Sequence, residues 1–411
     1  MREQLNSDII RQGRKGKLFV LTVFLVVLAI SILLNILKAN GPVEPSPKIS
    51  APVRAPQTSF CGVTLQLHTG WDENPFEHYI DQIAATGANV VSFVLPSYQE
   101  NAGSTSIFID LRKAPNDRRL LELMAYAHGR GLQVAMMPVV LLENPRQDEW
   151  RGKISPEDWD TWWDNYRNIV IRYAKLAQWG QADLYTLGSE LVSTEAFTGK
   201  WRKLIADVRK IYNGKLCYSA NWDHFRPIEW WDALDVVGMT SYYDLTGGEE
   251  PTIEHLLKAW KPIKADILDW QAKIGKRILF TEVGWPNQDT CAQYPWNYYS
   301  STKPDPEAQA NCFEAFFQTW VNEPAIEGFL VWEWQSYPQQ TTGVNDIGYV
   351  PIGKPAMKVI EKYYSAKNMI GDANIPTRAS GPSPHHRLGT TAQSQLSDKA
   401  DGPFIQADNG S

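Results

Sequence analysis

Eight short apolar segments alternate with helical patterns through the middle of this chain, and this alternation restricts the fold more than any other feature. The segments are Gly62–Leu67, Val90–Pro96, Gln133–Leu141, Leu184–Leu187, Leu216–Ala220, Val236–Ser241, Arg277–Thr281 and Gly328–Trp332. Each reads as a buried strand. Between them, Pro75–Ala85, Asp117–His128 and Trp201–Tyr212 place apolar residues at three- and four-residue spacing, the period of a helix with one buried face. Ser155-Pro156-Glu157-Asp158 has a capping hydroxyl, a first-turn proline and two acids, so a long helix is expected to start there. Gly87, Gly131 and Gly275 follow helical stretches as stop signals. Eight alternations predict an α/β fold of the (β/α)8 barrel type. A doubly wound open sheet is the alternative, but the chain has no GxGxxG turn and too many strands of one kind.

The flanks have a different composition. Leu18–Leu37 is an apolar run interrupted only by Thr22, Ser31 and Asn35. Twenty helical residues span about 30 Å, the thickness of a bilayer core. Arg11, Arg14, Lys15 and Lys17 precede the run and only Lys38 follows closely, so residues 1–17 are expected in the cytoplasm and the rest outside. A cleavable signal peptide is the competing reading. Its apolar region is usually shorter, and no good Ala-x-Ala site follows this run. The expectation is a transmembrane anchor over residues 18–38, in a cell membrane, with the barrel domain periplasmic or extracellular. Residues 39–58 carry Pro42, Pro45, Pro47, Pro52 and Pro56 and read as a semi-extended spacer. Residues 59–365 form the barrel domain. Residues 366–411 are rich in Ser, Gly, Pro, Asp and Gln and read as a disordered tail.

A net charge of -6 and the lack of a basic stripe argue against nucleic acid as a partner. The cysteines Cys61, Cys217, Cys291 and Cys312 form no CxxC pair, which argues against a zinc ribbon or redox motif. In an exported domain Cys291 and Cys312 could close a loop after the seventh strand, while Cys61 and Cys217 read as free buried thiols. The histidines show neither HxxxH nor HxH spacing, so no metal site is expected. Seventeen Trp and seventeen Tyr exceed the usual needs of a core, and about half are expected to serve one. The others fall near strand ends, where aromatic faces can stack on sugars.

Two phrases carry chemistry. Leu187-Gly188-Ser189-Glu190-Leu191 follows the fourth strand, and Thr281-Glu282-Val283-Gly284-Trp285 follows the seventh. In a (β/α)8 barrel the C-terminal strand ends converge on one face. Two carboxylates there suit glycosidic cleavage. One serves as nucleophile and one as acid/base, about 5–5.5 Å apart in a retaining enzyme.

The order and spacing of these glutamates resemble clan A retaining glycoside hydrolases. Within that clan the chain most resembles glycoside hydrolase family 113, known for β-mannanases. The resemblance runs from about Phe60 to Tyr364. It rests on the two glutamate phrases, on Val331-Trp332-Glu333-Trp334 and on Gly353-Lys354-Pro355-Ala356. It implies Glu190 as acid/base and Glu282 as nucleophile, Trp332 as the platform at the cleavage subsite, and Tyr242 as a hydrogen-bond partner of the nucleophile. The wider clan usually has Asn immediately before the acid/base, to contact the sugar 2-hydroxyl. This chain has Ser189, whose hydroxyl could serve directly or through water.

Trp71, Trp222, Tyr242, Trp285 and Trp332 stand near strand ends as cleft aromatics, with wall packing the plain alternative for Trp71, Trp222 and Trp285. His68 and Asn221 are candidates to contact sugar hydroxyls. Glu333, Glu195, Asp223 and Asp244 are rival acids: Glu333 binds either substrate or a neighbouring loop, and Glu195 caps or decorates a loop. The reading that results is a membrane-anchored retaining hydrolase of a β-linked glycan, with β-1,4-mannan or glucomannan foremost. It requires no metal or cofactor, and oligomeric state is not legible. Action on another β-glycan, such as glucan or xylan, and a silent carbohydrate-binding or scaffold barrel are the rival readings.

Overall fold

The computed structural model describes residues 60–70, 74–334 and 342–365. The segments expected as anchor, spacer and tail, and Trp71, lie outside them. Among the described residues no helix is long and apolar enough to cross a membrane.

Eight parallel strands close into a barrel in sequence order. They are β1 (Phe60–Gln66), β2 (Val90–Gln99), β3 (Gln133–Leu142), β4 (Leu184–Ser189), β5 (Lys215–Ala220), β6 (Val237–Thr240), β7 (Ile278–Val283) and β8 (Ile326–Trp334). The last closes on the first, with Gly62 opposite Leu330. Among the described residues seven α-helices surround them: α1 (Phe76–Ala85), α2 (Asp117–Gly129), α3 (Trp159–Trp179), α4 (Thr198–Arg209), α5 (Ile253–Ile274), α6 (Pro306–Trp320) and α7 (Pro355–Ser365).

The sequence expectation needs two corrections here. No α-helix joins β5 to β6; a single 3₁₀ turn, Trp231–Ala233, makes the crossover. The long helix α3 starts at Trp159 rather than at Ser155-Pro156. Its cap is Asp158, whose Oδ1 accepts from Thr161 N at 3.1 Å while Oδ2 accepts from the Thr161 hydroxyl at 2.6 Å. A bidentate carboxylate cap at the positive end of the helix outcompetes the serine upstream. Gly275 closes α5 in the left-handed conformation, φ 71°, where its N–H reaches Gln271 O.

The barrel interior is layered. Phe60, Val90, Ala135, Leu184, Cys217, Val236, Leu279 and Leu330 form one apolar cluster with contributions from around the barrel. Beside Phe60, Glu327 is held by Lys215 and by Arg277, the latter at 2.9 Å. Nearer the opposite mouth, Val94, Met137 and Val139 pack under Trp332. The larger core lies between strands and helices and absorbs much of the tryptophan. Trp162, Trp201, Trp230, Trp260 and Trp320 are fully buried there. Trp201 stacks on Trp230 with centroids 4.6 Å apart, and truncating such a ring costs about 3–5 kcal/mol. The four cysteines are free thiols. Cys291 and Cys312 are both fully buried and hydrogen-bonded to one another, unbonded covalently. Burial pushes the Cys61 thiol up to about 12.

Candidate active site

Both glutamate phrases depend on a glycine that permits close packing. A Cβ on Gly188 would meet the Tyr166 hydroxyl at 2.2 Å, and one on Gly284 would meet Trp332 O at 2.2 Å. Tyr166 uses that hydroxyl to donate to Leu187 O at 2.6 Å, which fixes the end of β4 from the helix side. The next turn carries Glu190 with φ at 53°, in the left-handed region that a non-glycine residue enters at a cost of about 1–2 kcal/mol. The strain is held in place from both sides. Glu190 N donates to Ser219 O at 2.8 Å, and Leu191 N donates to the Tyr218 hydroxyl at 2.9 Å. The result is a buried carboxyl pinned at the C-terminal mouth of the barrel.

Glu282 is the penultimate residue of β7, also buried. Its Oε1 accepts from the Ser189 hydroxyl at 3.2 Å and its Oε2 from the Tyr242 hydroxyl at 2.9 Å. Its backbone carbonyl accepts from both N and Oγ of Ser241, each at 3.0 Å. Ser189 therefore serves the opposite carboxylate in the sugar-free site. Burial and then the charge of Glu190 push the Glu282 carboxyl up to about 8, and Arg151 opposes them. The Glu282 carboxyl thus feels the Glu190 charge across the mouth.

Arg151 was not singled out in the sequence. It sits on a 3₁₀ turn, Arg151–Lys153, in the loop after β3. One guanidinium nitrogen donates to Glu190 Oε2 at 2.5 Å. Its positive field also reaches Glu282 and Tyr242. Trp150 lies so close over Gly152 that a Cβ there would fall 2.3 Å from the indole, which sets the turn. In sequence the only signal is an Arg-Gly-Lys triplet in a polar loop, indistinguishable from a solvated turn.

Glu333 follows the cis peptide Trp332–Glu333. Its Oε2 is buried and has no hydrogen-bond partner among the described residues, so no described neighbouring loop claims it. Burial, then Glu282 and Asp346, push this carboxyl up to about 8. Glu195 stands at the C-terminal cap of the 3₁₀ turn Val192–Thr194. It is buried, accepts from the Tyr218 hydroxyl at 2.7 Å, and is pushed up to about 8 chiefly by burial. Its position beneath Leu191 and Tyr218 makes it a support for the Glu190 turn. Asp244 caps its own turn by accepting from Gly247 N at 2.8 Å, and Asp223 accepts from Asn221 at 2.8 Å and from His224.

The other cleft candidates divide. Trp332 is half-buried on the mouth cluster. Trp222 is half-buried after β5, with its N donating to Thr240 Oγ1 at 3.0 Å. His68 lies just past β1, and burial pushes its imidazole down to about 4, so it is neutral near pH 7. Trp285 must be corrected. It has no exposed surface and packs edge-on against Phe313 and Phe316 of α6, centroids 5.1 and 6.0 Å away. It belongs to the outer core, because the residue after Gly284 turns away from the mouth.

Lys354 shows what the Gly-Lys-Pro-Ala segment does. Its fully buried ammonium donates to Asp346 Oδ2 at 2.8 Å and Gly348 O at 3.0 Å. Asn287 ties the same loop to the β7 side through Val344 O and Asp346 O. These bonds seat Tyr349 beside Tyr242, with ring centroids 6.4 Å apart.

The arrangement matches known proteins. The model of Glycoside Hydrolase Family 113 matches residues 63–354. A solved complex of a GH113 β-1,4-mannanase shares 26% identity at a TM-score of 0.67, over 76% of this chain and all of that one. The GH113 β-mannanase of Alicyclobacillus acidocaldarius, solved with ManMIm, shares 26% identity at a TM-score of 0.67, over 75% of this chain and 98% of that one. A further GH113 β-1,4-mannanase structure shares 27% identity at a TM-score of 0.65, over 76% of this chain and all of that one. No curated protein matches. With two buried glutamates at the mouth of a closed barrel and the family match spanning most of that barrel, this chain is a glycoside hydrolase and belongs to glycoside hydrolase family 113.

Proposed function

We propose that the chain is a retaining hydrolase of β-1,4-linked mannan or glucomannan. The observation that carries the reading is the seating of Glu282: two hydroxyls hold its carboxyl opposite Glu190 at the ends of β7 and β4. Glu282 attacks the anomeric carbon as Glu190 gives a proton to the leaving oxygen. Water, deprotonated by Glu190, then cleaves the glycosyl-enzyme. The pair must hold one proton between them for the first step. Glu282, raised to about 8, holds a proton near pH 7 in the sugar-free site, so that proton must pass to Glu190 before Glu282 attacks. Arg151 occupies Oε2 of Glu190, so the proton leaves from Oε1 or after the guanidinium moves aside. The unpartnered Glu333 oxygen suits a sugar hydroxyl.

The preference for mannose rests on relatives described as β-1,4-mannanases at 26–27% identity. A hydrolysis screen of the full chain on mannan, glucomannan, mixed-linkage glucan and xylan tests it. Fastest cleavage of a mannose-free glycan rejects the mannan assignment. Inactivity on all four, with the glutamates intact, favours the silent barrel. The placement proposed for this domain is outside the cytoplasm on an N-terminal anchor. The support is the charge asymmetry and length of the run at Leu18–Leu37.

A further inference from the structure

From the nucleophile a line of aromatic rings runs outward. Tyr242, bonded to Glu282, neighbours Tyr349 at 6.4 Å; Tyr349 neighbours Tyr298 at 6.3 Å; Tyr298 neighbours Tyr299 at 4.2 Å. Exposure rises along the line, from 6% and 7% to 49% and 82%. Beside it, Trp222 stacks on Trp296 with centroids 5.8 Å apart and planes 23° from parallel, and Tyr294 meets Trp296 edge-on at 5.9 Å. Trp296 is 45% exposed and Tyr294 38%. Apart from Trp222, the outer rings come from one segment, Tyr294–Tyr299, of the loop between β7 and α6.

A loop that merely needed covering would not be built this firmly. The fully buried Gln288 donates to Tyr298 O at 2.7 Å and accepts from Ser300 Oγ and Ser301 N, each at 3.0 Å. Tyr349 donates to Pro295 O at 2.6 Å, tying the segment to the loop that Lys354 anchors. Fixed backbone and exposed rings together present preformed flat surfaces, which reduces the ordering cost of binding. The segment from Tyr294 to Thr302 carries no charged residue; Asn297, Ser300, Ser301 and Thr302 supply uncharged hydrogen-bonding groups. The inner end of the platform reaches the catalytic charges, because Tyr298 lies in the fields of Arg151 and Glu333.

We infer that Trp222, Trp296, Tyr298 and Tyr299 form a platform for a neutral β-linked glycan chain, holding sugar units beyond the one that is cleaved. The rings stack on the C–H faces of successive pyranoses, and the loop amides and hydroxyls meet the equatorial oxygens. This extends the glycan reading above and rests on it. The platform makes recognition depend on chain length.

The test compares kcat/KM on mannohexaose and mannotriose for the full chain and for Trp296→Ala, Trp296→Phe and Trp179→Ala. Trp179 is exposed at the end of α3, on the opposite side of the barrel from the mouth. The wild type should favour the hexaose. Trp296→Ala should lower the hexaose-to-triose ratio about tenfold, Trp296→Phe should recover most of it, and Trp179→Ala should leave the ratio unchanged. An unaltered ratio in Trp296→Ala, or equal loss on both sugars, overturns the platform. Concentration-dependent dimerisation lost in Trp296→Ala, with the ratio unaltered, assigns the rings to a second copy and also overturns it. If the wild type cleaves neither sugar, the mannan reading fails by itself. Affinity electrophoresis of Glu282→Gln through glucomannan, mixed-linkage glucan and xylan then decides: retardation abolished by Trp296→Ala supports the platform, and no retardation in any gel overturns it.

Discussion

Arg151 donates to Glu190 at 2.5 Å, the same carboxyl that is proposed to deliver a proton to the leaving group. The cation reaches Glu190 and Glu282 from a loop that contributes no other catalytic candidate. It lowers the Glu282 carboxyl against the burial and the Glu190 charge that raise it. Arg151 thereby tunes how long the pair keeps its last proton.

The first prediction follows from that balance. Above about pH 8 Glu282 loses the proton that must reach Glu190 and no acid is left, so kcat/KM should fall as pH rises through about 8. Removing the cation in Arg151→Met disfavours the anion at Glu282, so the alkaline limb should move to higher pH. Arg151→Lys should move it less. A limb that stays in place or moves down removes Arg151 from the proton balance.

A second prediction separates the two glutamates. Glu282→Ala should abolish turnover, and added azide should restore part of it by attacking from the vacated side. Glu190→Ala should lose about 10²–10⁴-fold on substrates with poor leaving groups and far less on activated aryl glycosides, which need little protonation. Equal loss on both classes in the glycosylation step would point to Glu333, whose buried oxygen lies near Glu282.

Much of this site was readable from strand ends. Glu190 and Glu282 each follow an apolar run and a barrel returns such ends to one face, so their meeting needed only the topology. Arg151 was not readable, because its inward aim comes from Trp150 folding over Gly152 in a loop without periodicity. Trp285 was misread for the opposite reason. Spacing placed it at a strand end, but spacing does not say which side of the wall a residue after Gly284 takes. The crossover at Trp231–Ala233 shows a related limit, since two apolar strands can be joined by a turn too short to show a helical period. Residues 294–299 drew no attention as a group, because a run of aromatics in a loop acquires meaning only when Gln288 fixes it beside the mouth.

The third prediction concerns stability. Glu195 and Glu333 are held near 8 in the folded chain against an ordinary value of 4.5. Between those values the folded chain binds more protons than the unfolded one, so stability falls as pH rises. The associated stabilisation is complete below about pH 4.5 and lost by about pH 8. Thermal midpoints should therefore decline across that window, and Glu333→Gln should flatten the decline. A flat wild-type profile, or a slope unchanged in Glu333→Gln, would exclude Glu333 as a buried protonated acid.

A fourth prediction addresses the N-terminal run. Protease added to intact cells, with any outer envelope opened, should cut the spacer near Pro42–Pro56. A protected spacer, or a mature N-terminus beyond Lys38, rejects an uncleaved anchor with the barrel outside.

The last prediction is stereochemical, and it tests the mechanism whatever the sugar. Ser189 bonds to Glu282 and neighbours Glu190 in the chain, so one short bridge joins the two carboxyl sites. That closeness suits the separation of about 5–5.5 Å at which the second carboxylate attacks the sugar itself. An inverting enzyme needs about 6.5–9.5 Å to seat a water between carboxylate and ring. The first product should therefore keep the β configuration. Proton NMR early in hydrolysis, before mutarotation, reads the anomer directly. An initial α product would mean that water and not Glu282 attacks, and it would reassign Glu282 as a base even if the chain cleaves mannan as proposed.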